Sequence, residues 1–333
     1  MTLAPYVRIL GRGPGRARAL TEDEAFKAMR LILSGDAAPE AVGALLMLMR
    51  YRGESAPEIA GFTRAVLDDL GSWKAVPATL DWPSYAAGRT RGRPLFLLSA
   101  KLLAAAGQKV LLHGWNSHQS PLASVNDALA SLDIPAVSSP HEATARLETC
   151  GIAYVPLEAI SRPGYNLIRL RDILGLRSCV NTVLRMLNPA EAMATVQGVF
   201  HPSYRDLQQD AGALLGRSTI LVVKGGGGEF ERHPGKLTQA YGLLGGAAAT
   251  LDAAPLLNAT RRLHEPDHPT PPLADLWHGT AQDPFAEAVV VGTAGLALIA
   301  AGLCQTPAEG DAMARDLWTN RAQQHAARPT EDA

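Results

Sequence analysis

Cysteine is nearly missing from this chain. Only Cys150, Cys179 and Cys304 occur in 333 residues. They are far apart, odd in number and free of Cys-x-x-Cys spacing, so neither a disulfide framework nor a zinc site is indicated, and a reducing cytoplasm is the expected compartment. Charge of one sign has no surplus either: the net charge is −1, so no global basic field draws the protein to nucleic acid or membrane. The stretch Met1–Pro5 lacks the basic-then-apolar pattern of a signal segment. The uncharged run Ala288–Cys304 is short and interrupted by Gly292, Gly295 and Gly302, which predicts a buried helix packed closely on its neighbours and no membrane partner. Aromatic residues make up only 5%, yet hydrophobic residues reach 47%, enough for a large core, and the length exceeds that of one ordinary compact domain.

Two textures follow each other along the chain. The first seventy residues predict three short helices. Thr21 and Glu24 form a capping box ahead of an apolar face and Gly35 stops it; Pro39 opens a second helix; Ser55 and Glu58 cap a third that ends at Gly71. After Pro77, short apolar strands at Lys109–Leu112, Ile152–Val155, Thr195–Val199 and Thr219–Val223 alternate with helical patterns, the signature of an α/β sheet. The expected division is a helical domain over 1–74, with 165–190 as a segment able to pack back on it, and an α/β domain over 75–333. From His264 to Pro284 the absence of periodicity predicts a long loop. His264, His268 and His278 with Asp267 suggest metal ligands on paper, but prolines on both sides of His268 argue against a rigid ligand face.

The candidate chemistry is concentrated in Lys224-Gly225-Gly226-Gly227-Gly228-Glu229-Phe230-Glu231-Arg232. A strand running into four glycines allows close backbone approach and a cradle of N–H groups for phosphate oxygens, or else a surface hairpin with nothing bound. Walker and Rossmann patterns are both absent. Arginines gather at Arg8/Arg12/Arg16/Arg18, at Arg89/Arg91/Arg93 and at Arg169/Arg171/Arg177, each group being either a solvated face or an anion-binding surface.

The order of a helical leader, a strand ending near position 85, Leu112-His113-Gly114-Trp115-Asn116, Arg171 with Leu174-Gly175-Leu176-Arg177, Asn181 and Leu187-Asn188-Pro189-Ala190 resembles the anthranilate phosphoribosyltransferases of glycosyltransferase family 3. The resemblance covers nearly the whole chain. It implies a small N-terminal α-helical domain plus a larger α/β domain with a central, mainly parallel sheet, of the nucleoside phosphorylase/phosphoribosyltransferase type, assembled as a homodimer through the N-terminal helices. Leu45, Leu46, Leu48, Met49 and Phe62 are the apolar residues expected at that dimer face.

The departures from the family pattern shape the functional expectation. The Gly-Thr-Gly-Gly-Asp loop that holds pyrophosphate in the family falls on Ser84-Tyr85-Ala86-Ala87-Gly88-Arg89. The polar Asn-Ile-Ser-Thr segment falls on Pro94-Leu95-Phe96-Leu97. The family's Lys-His-Gly-Asn falls on Leu112-His113-Gly114-Trp115, and its magnesium-binding Asp-Glu pair falls on Phe230 and Glu231, or on Glu229 and Glu231. Arg171 matches the arginine that meets the anthranilate carboxylate, a role it either keeps or exchanges for pairing on a helix face. The pattern, with Gly198-Val199-Phe200-His201-Pro202-Ser203-Tyr204, resembles the divergent YbiB-type branch. That resemblance implies a catalytically degenerate homodimer binding nucleic acid non-specifically, with no cofactor and magnesium only if transfer activity survives. The implied phosphate contacts are Gly88, Arg89, Arg91, Arg93, His113, Gly114, Lys224, Gly225, Gly226, Gly227, Gly228 and Arg232, with His233 and Lys236 beside them; Glu229 and Glu231 are the metal-ligand candidates, and no catalytic residue is assigned. The alternatives are a glycosyl or phosphoribosyl transferase acting on another acceptor, and a regulatory protein that senses a small anion.

Overall fold

The computed structural model describes residues 2–13, 15–85, 92–115, 121–258, 261–265 and 268–321. The helical leader holds α1 (Ala4–Gly11), α2 (Glu22–Leu33), α3 (Pro39–Arg52) and α4 (Ala56–Leu67); α1, with Pro5 in its first turn, is one helix more than the sequence pattern led us to expect. Both capping boxes form. The Thr21 hydroxyl accepts from the Glu24 amide at 3.2 Å while the Glu24 carboxylate accepts from the Thr21 amide at 2.9 Å, which satisfies donors that a helix start leaves open. Buried Glu58 accepts from the Ser55 amide at 2.9 Å and also from the Leu20 amide at 2.9 Å, so one carboxylate starts α4 and anchors the approach to α2.

The second part runs β1 (Leu80–Ser84), α5 (Phe96–Ala105), β2 (Val110–Gly114), α6 (Val125–Ser131), α7 (Pro140–Thr149), β3 (Ile152–Pro156), α8 (Leu157–Ile160), α9 (Arg162–Leu174), α10 (Val180–Arg185), β4 (Ala194–Val199), α11 (Ser203–Leu214), β5 (Thr219–Lys224), β6 (Thr238–Leu244), β7 (Ala247–Ala253), α12 (Leu273–His278), α13 (Pro284–Ala300) and α14 (Pro307–Thr319). Among the described residues the strands form one sheet in the order β3-β2-β1-β4-β5-β6-β7. The first five are parallel and β6 and β7 antiparallel. The fold is thus a small helical domain joined to a larger α/β domain with a mainly parallel sheet. α12 interrupts the stretch expected to be a structureless loop; Pro272 precedes it and Gly279, in the left-handed conformation, ends it.

Side chains alternate between two cores, as the period of a strand requires. Trp82, Leu112, Tyr154, Val196 and Val223 face α5, α13 and α14; Leu111, Val155, Ile220 and Val222 face the other way and share one continuous core with the helical leader. The segment of α9 and α10 packs in that same core beside α4, where the Thr63 hydroxyl reaches the Val183 carbonyl at 3.5 Å. The leader is therefore docked by buried apolar surface rather than tethered by a linker.

α2 and α4 approach so closely that a Cβ at Gly61 would lie 2.2 Å from the Glu22 carbonyl oxygen and 2.8 Å from the Ala25 Cβ. Gly61→Ala is expected to destabilise the protein by roughly 1–3 kcal/mol, the usual cost of overpacking where backbone cannot yield. Urea denaturation checks this, and an unchanged midpoint would show that the two helices can part without loss.

Candidate functional site

The strand order reverses between β1 and β4, and in open parallel sheets the crevice beyond the carboxyl ends of strands at such a reversal is where ligands bind. Register brings Ser84 level with Gly114 and Val199 level with Lys224. Tyr85, Trp115, Phe200 and the Gly225–Gly228 loop therefore line one rim.

At the β1 end the chain's own groups fill the crevice. The Ser84 hydroxyl donates to Glu229 Oε1 at 2.8 Å, wholly buried. Tyr85 follows with its ring buried and its hydroxyl 2.9 Å from His113 Nδ1. His113 Nε2 lies 3.1 Å from Asp81 Oδ1, both side chains fully enclosed. Burial, with Tyr154 and Asp81 adding to it, pushes the Tyr85 phenol well above its ordinary range, so the phenol remains neutral. The Arg185 guanidinium, itself buried, donates to the Tyr85 carbonyl at 3.4 Å.

The glycine loop is folded on itself. The Gly225 amide donates to the Val199 carbonyl at 3.1 Å, the Gly228 amide to the Gly225 carbonyl at 3.3 Å and the Glu229 amide to the Gly226 carbonyl at 3.1 Å. Gly227 and Gly228 have φ of 64° and 93°, the left-handed region that favours glycine. Beyond the loop Phe230 enters the core against Trp82, with ring centroids 5.5 Å apart, while Glu229 and Glu231 turn the opposite way. Glu231 Oε1 accepts from the Phe96 amide at 3.1 Å, the first residue of α5. Helix starts carry unpaired donors and partial positive charge and so attract anions; here the anion is the chain's own carboxylate. A Cβ at Gly226 would meet Leu263 Cδ1 at 3.0 Å and one at Gly92 would meet His264 Nδ1 at 1.6 Å, so the segment 261–265 closes over the loop.

Several expected contacts are corrected by this geometry. His113 and Gly114 are buried, and a Cβ at Gly114 would lie 2.0 Å from the Ser84 carbonyl oxygen, so neither reaches a polyanion. Gly225, Gly226, Gly227 and Gly228 build a turn rather than an open cradle. Arg232 is buried, with its guanidinium on Asp311 at 2.6 Å and on the Ala254 carbonyl. It is a structural ion pair because a charge so enclosed requires a partner. His233 accepts from the Gly235 amide at 3.0 Å and meets the Arg261 carbonyl at 3.0 Å, and burial lowers its pKa. Arg93 donates to the Thr270 carbonyl at 3.1 Å. Gly88, Arg89, Arg91 and Asp267 lie outside the described residues. Lys224 and Lys236 are exposed, Lys224 on the rim itself.

The residues do not fit a magnesium–diphosphate site. Glu229 and Glu231 already accept from Ser84 and Phe96, Pro94–Leu97 supplies only buried apolar side chains there, and among the described residues no group of three or more His, Cys, Asp or Glu could hold a metal ion. Magnesium asks for carboxylates and substrate oxygens in octahedral array.

A second constellation lies where the two domains meet. Tyr204, in the first turn of α11, donates to Glu54 Oε2 at 3.0 Å and accepts from Arg50 at 3.4 Å. Arg177, which reaches solvent, is held below the ordinary arginine range first by the desolvating effect of surrounding protein, then by Arg171 and then by Arg50. Buried Arg185 is likewise lowered by desolvation first, with Arg177 acting in the same direction and Glu229 against it. Arg171 and Arg50 thus act on Arg177, and Arg177 on Arg185; Arg50 and Arg185 had no sequence signal beyond composition that separated them from ordinary surface arginines.

Family models describe the same two parts. The glycosyl transferase family helical bundle domain matches residues 4–69 and the glycosyl transferase family a/b domain matches residues 95–322. The chain belongs to glycosyl transferase family 3. It is 31% identical over 306 residues to the anthranilate phosphoribosyltransferase of Geobacillus kaustophilus, covering 90% of each chain. To that of Moorella thermoacetica it is 32% identical over 321 residues, covering 89% of this chain and 88% of the other. The crystal structure of anthranilate phosphoribosyltransferase from Thermus thermophilus superposes with a TM-score of 0.76 at 25% identity, covering 98% and 97% of the two chains.

If Arg232 is structural, Arg232→Ala leaves Asp311 largely enclosed without its cation and costs roughly 3–5 kcal/mol in a denaturant titration, as removal of one partner of a buried pair does. Affinity for a polyanion should not change in the fraction that remains folded. Weakened binding at unaltered stability would return Arg232 to the binding surface.

Proposed function

We propose that this family member no longer transfers a phosphoribosyl group and acts as a non-specific nucleic-acid-binding protein of the YbiB type, using the arginines where its two domains meet. The observation that carries the reading is the Glu231 carboxylate on the first amide of α5: an internal anion occupies a helix start that suits a phosphate. Glu229 on Ser84, the buried Tyr85 and the 261–265 cover support it. Among the cations near the crevice, Arg50, Arg171 and Arg177, with Lys224 on the rim, are the ones this reading assigns to the ligand. Arg177, whose charge is disfavoured by burial and by Arg171 and Arg50, gains from a polyanion beside it. Contacts of this kind give affinity through counterion release without reading sequence.

A second reading, transfer of a glycosyl or phosphoribosyl group to another acceptor, is favoured by one observation, the 31–32% identity to anthranilate phosphoribosyltransferases over about nine-tenths of the chain. One pair of measurements separates the two. With phosphoribosyl pyrophosphate, magnesium and anthranilate, the first reading expects no turnover; steady consumption on the order of one per second, an ordinary enzymatic rate, would overturn it. With a labelled oligonucleotide, log affinity should fall linearly with log salt, by roughly 0.7 per phosphate contact on a single strand. Arg50→Ala with Arg177→Ala should lower that slope by about one to two for every sequence tested. An unchanged slope and affinity would remove these arginines from the site.

We also propose a homodimer through the helical leader, on a revised set of residues. Leu45, Leu46, Met49 and Phe62 are buried within the protomer, so they do not form the contact face expected from the sequence. Tyr51 on α3, 90% exposed, and Ile173 at the end of α9, 81% exposed, are large apolar side chains left in solvent. Gly43 and Leu174 show that α3 and α9 are adjacent, since a Cβ at Gly43 would lie 3.7 Å from Leu174 Cδ2. Exposed apolar patches on soluble proteins mark interfaces. Sedimentation of the parent should show a dimer, and Tyr51→Glu with Ile173→Glu should give a folded monomer; a monomeric parent at micromolar concentration would defeat the proposal.

A further inference from the structure

The end of β4 carries an aromatic pair that packing does not explain. Among the chain's six phenylalanines, Phe62, Phe96, Phe230 and Phe285 are buried in the protomer. Phe200 is 53% exposed and belongs to neither hydrophobic cluster. Its neighbour in contact is His201, also exposed, with ring centroids 4.9 Å apart and planes at 81°. Both rings stand at the carboxyl end of a central parallel strand, one residue past Val199, whose register partner is exposed Lys224. Three residues past His201, Tyr204 meets Arg50. The polypeptide thus presents, near one another, an open π-face, a lysine on the adjacent strand and an arginine held by the start of α11.

Resting on the nucleic-acid reading above, we infer that Phe200, with His201 as its edge support, is a stacking platform for an unpaired nucleobase. It selects single-stranded over double-stranded nucleic acid, while Lys224 and Arg50 hold the phosphates on either side. A flat aromatic face is what an unstacked base needs and what a phosphate does not, and every base has such a face, so the platform adds affinity without sequence preference. In a duplex the bases are stacked on one another and present only their edges, so the platform has nothing to take. The charge complementarity of the flanking cations commits the surface to a polyanion that carries a π-face beside every charge, which the carboxylates of an acidic peptide do not.

The test uses the full chain with three labelled probes of equal length: an oligothymidylate, an abasic phosphodiester chain and a self-complementary duplex. The parent should bind the oligothymidylate more tightly than the other two. Phe200→Ala should weaken the oligothymidylate roughly 5- to 100-fold, the effect of losing one or more stacked bases, while leaving the abasic chain and the salt slope unchanged. Phe200→Trp should restore binding, and its added emission should be quenched by the oligothymidylate but not by the abasic chain. If the parent binds abasic and thymidylate chains equally, or Phe200→Ala weakens both alike, the platform is overturned while phosphate binding stands. If the parent binds none of the probes, the nucleic-acid reading falls and this inference falls with it.

Discussion

The carboxylate of Glu231 on the first amide of α5 is the interaction on which the crevice depends. It joins the segment after the glycine loop to the helix that packs on β1, across 135 residues of chain. Phe230, beside it, is driven the other way into the stack of Trp82 and Phe96. With alternate residues pulled to opposite sides, Glu229 can end only at the Ser84 hydroxyl. The short extended piece from 229 to 232 is thereby fixed at four successive side chains, ending with Arg232 on Asp311. Buried polar groups are costly unless paired, so each member of this series holds the next in place.

Burial sets the opposite sign on the two halves of the site. Along β1 and the loop, Glu229 and Glu231 accept from donors of the protein itself. Where the domains meet, Arg177 and Arg185 sit where surrounding protein disfavours their charge. A small net charge therefore says little about local potential: the whole chain is nearly neutral because acidic groups sit elsewhere or are internally consumed. Because the leader and the α/β domain share one core, the residues that the two domains contribute to their junction are held in place.

What was legible in the sequence was local. Thr21 with Glu24 and Ser55 with Glu58 are contacts between residues three apart, so spacing alone reveals them. The apolar runs of β2 to β5 announce strands that are buried on both faces, and the family likeness implied that they lie mainly parallel. The site was legible as a region but not residue by residue. Arg232 beside a glycine loop looks like a phosphate ligand until Asp311, 79 residues later, is folded against it. His113 looks like a phosphate contact until Asp81 and Tyr85 enclose it. The short helix α12 was hidden by flanking prolines and histidines, and α1 by its brevity. Arg50 acquires meaning only from being brought to Tyr204 and Arg177, which no one-dimensional spacing encodes.

The interlocking of Ser84, Tyr85, His113, Glu229 and Glu231 bears on which substitutions the crevice tolerates. A glycine at position 85 would leave His113 Nδ1 without the phenol. A shorter side chain at 229 would abandon a buried hydroxyl, and one at 231 would uncover the start of α5. Residues in one network are strongly non-additive, so a change at any one of these positions leaves its partners buried and unsatisfied, and the crevice can be opened only through several coordinated substitutions.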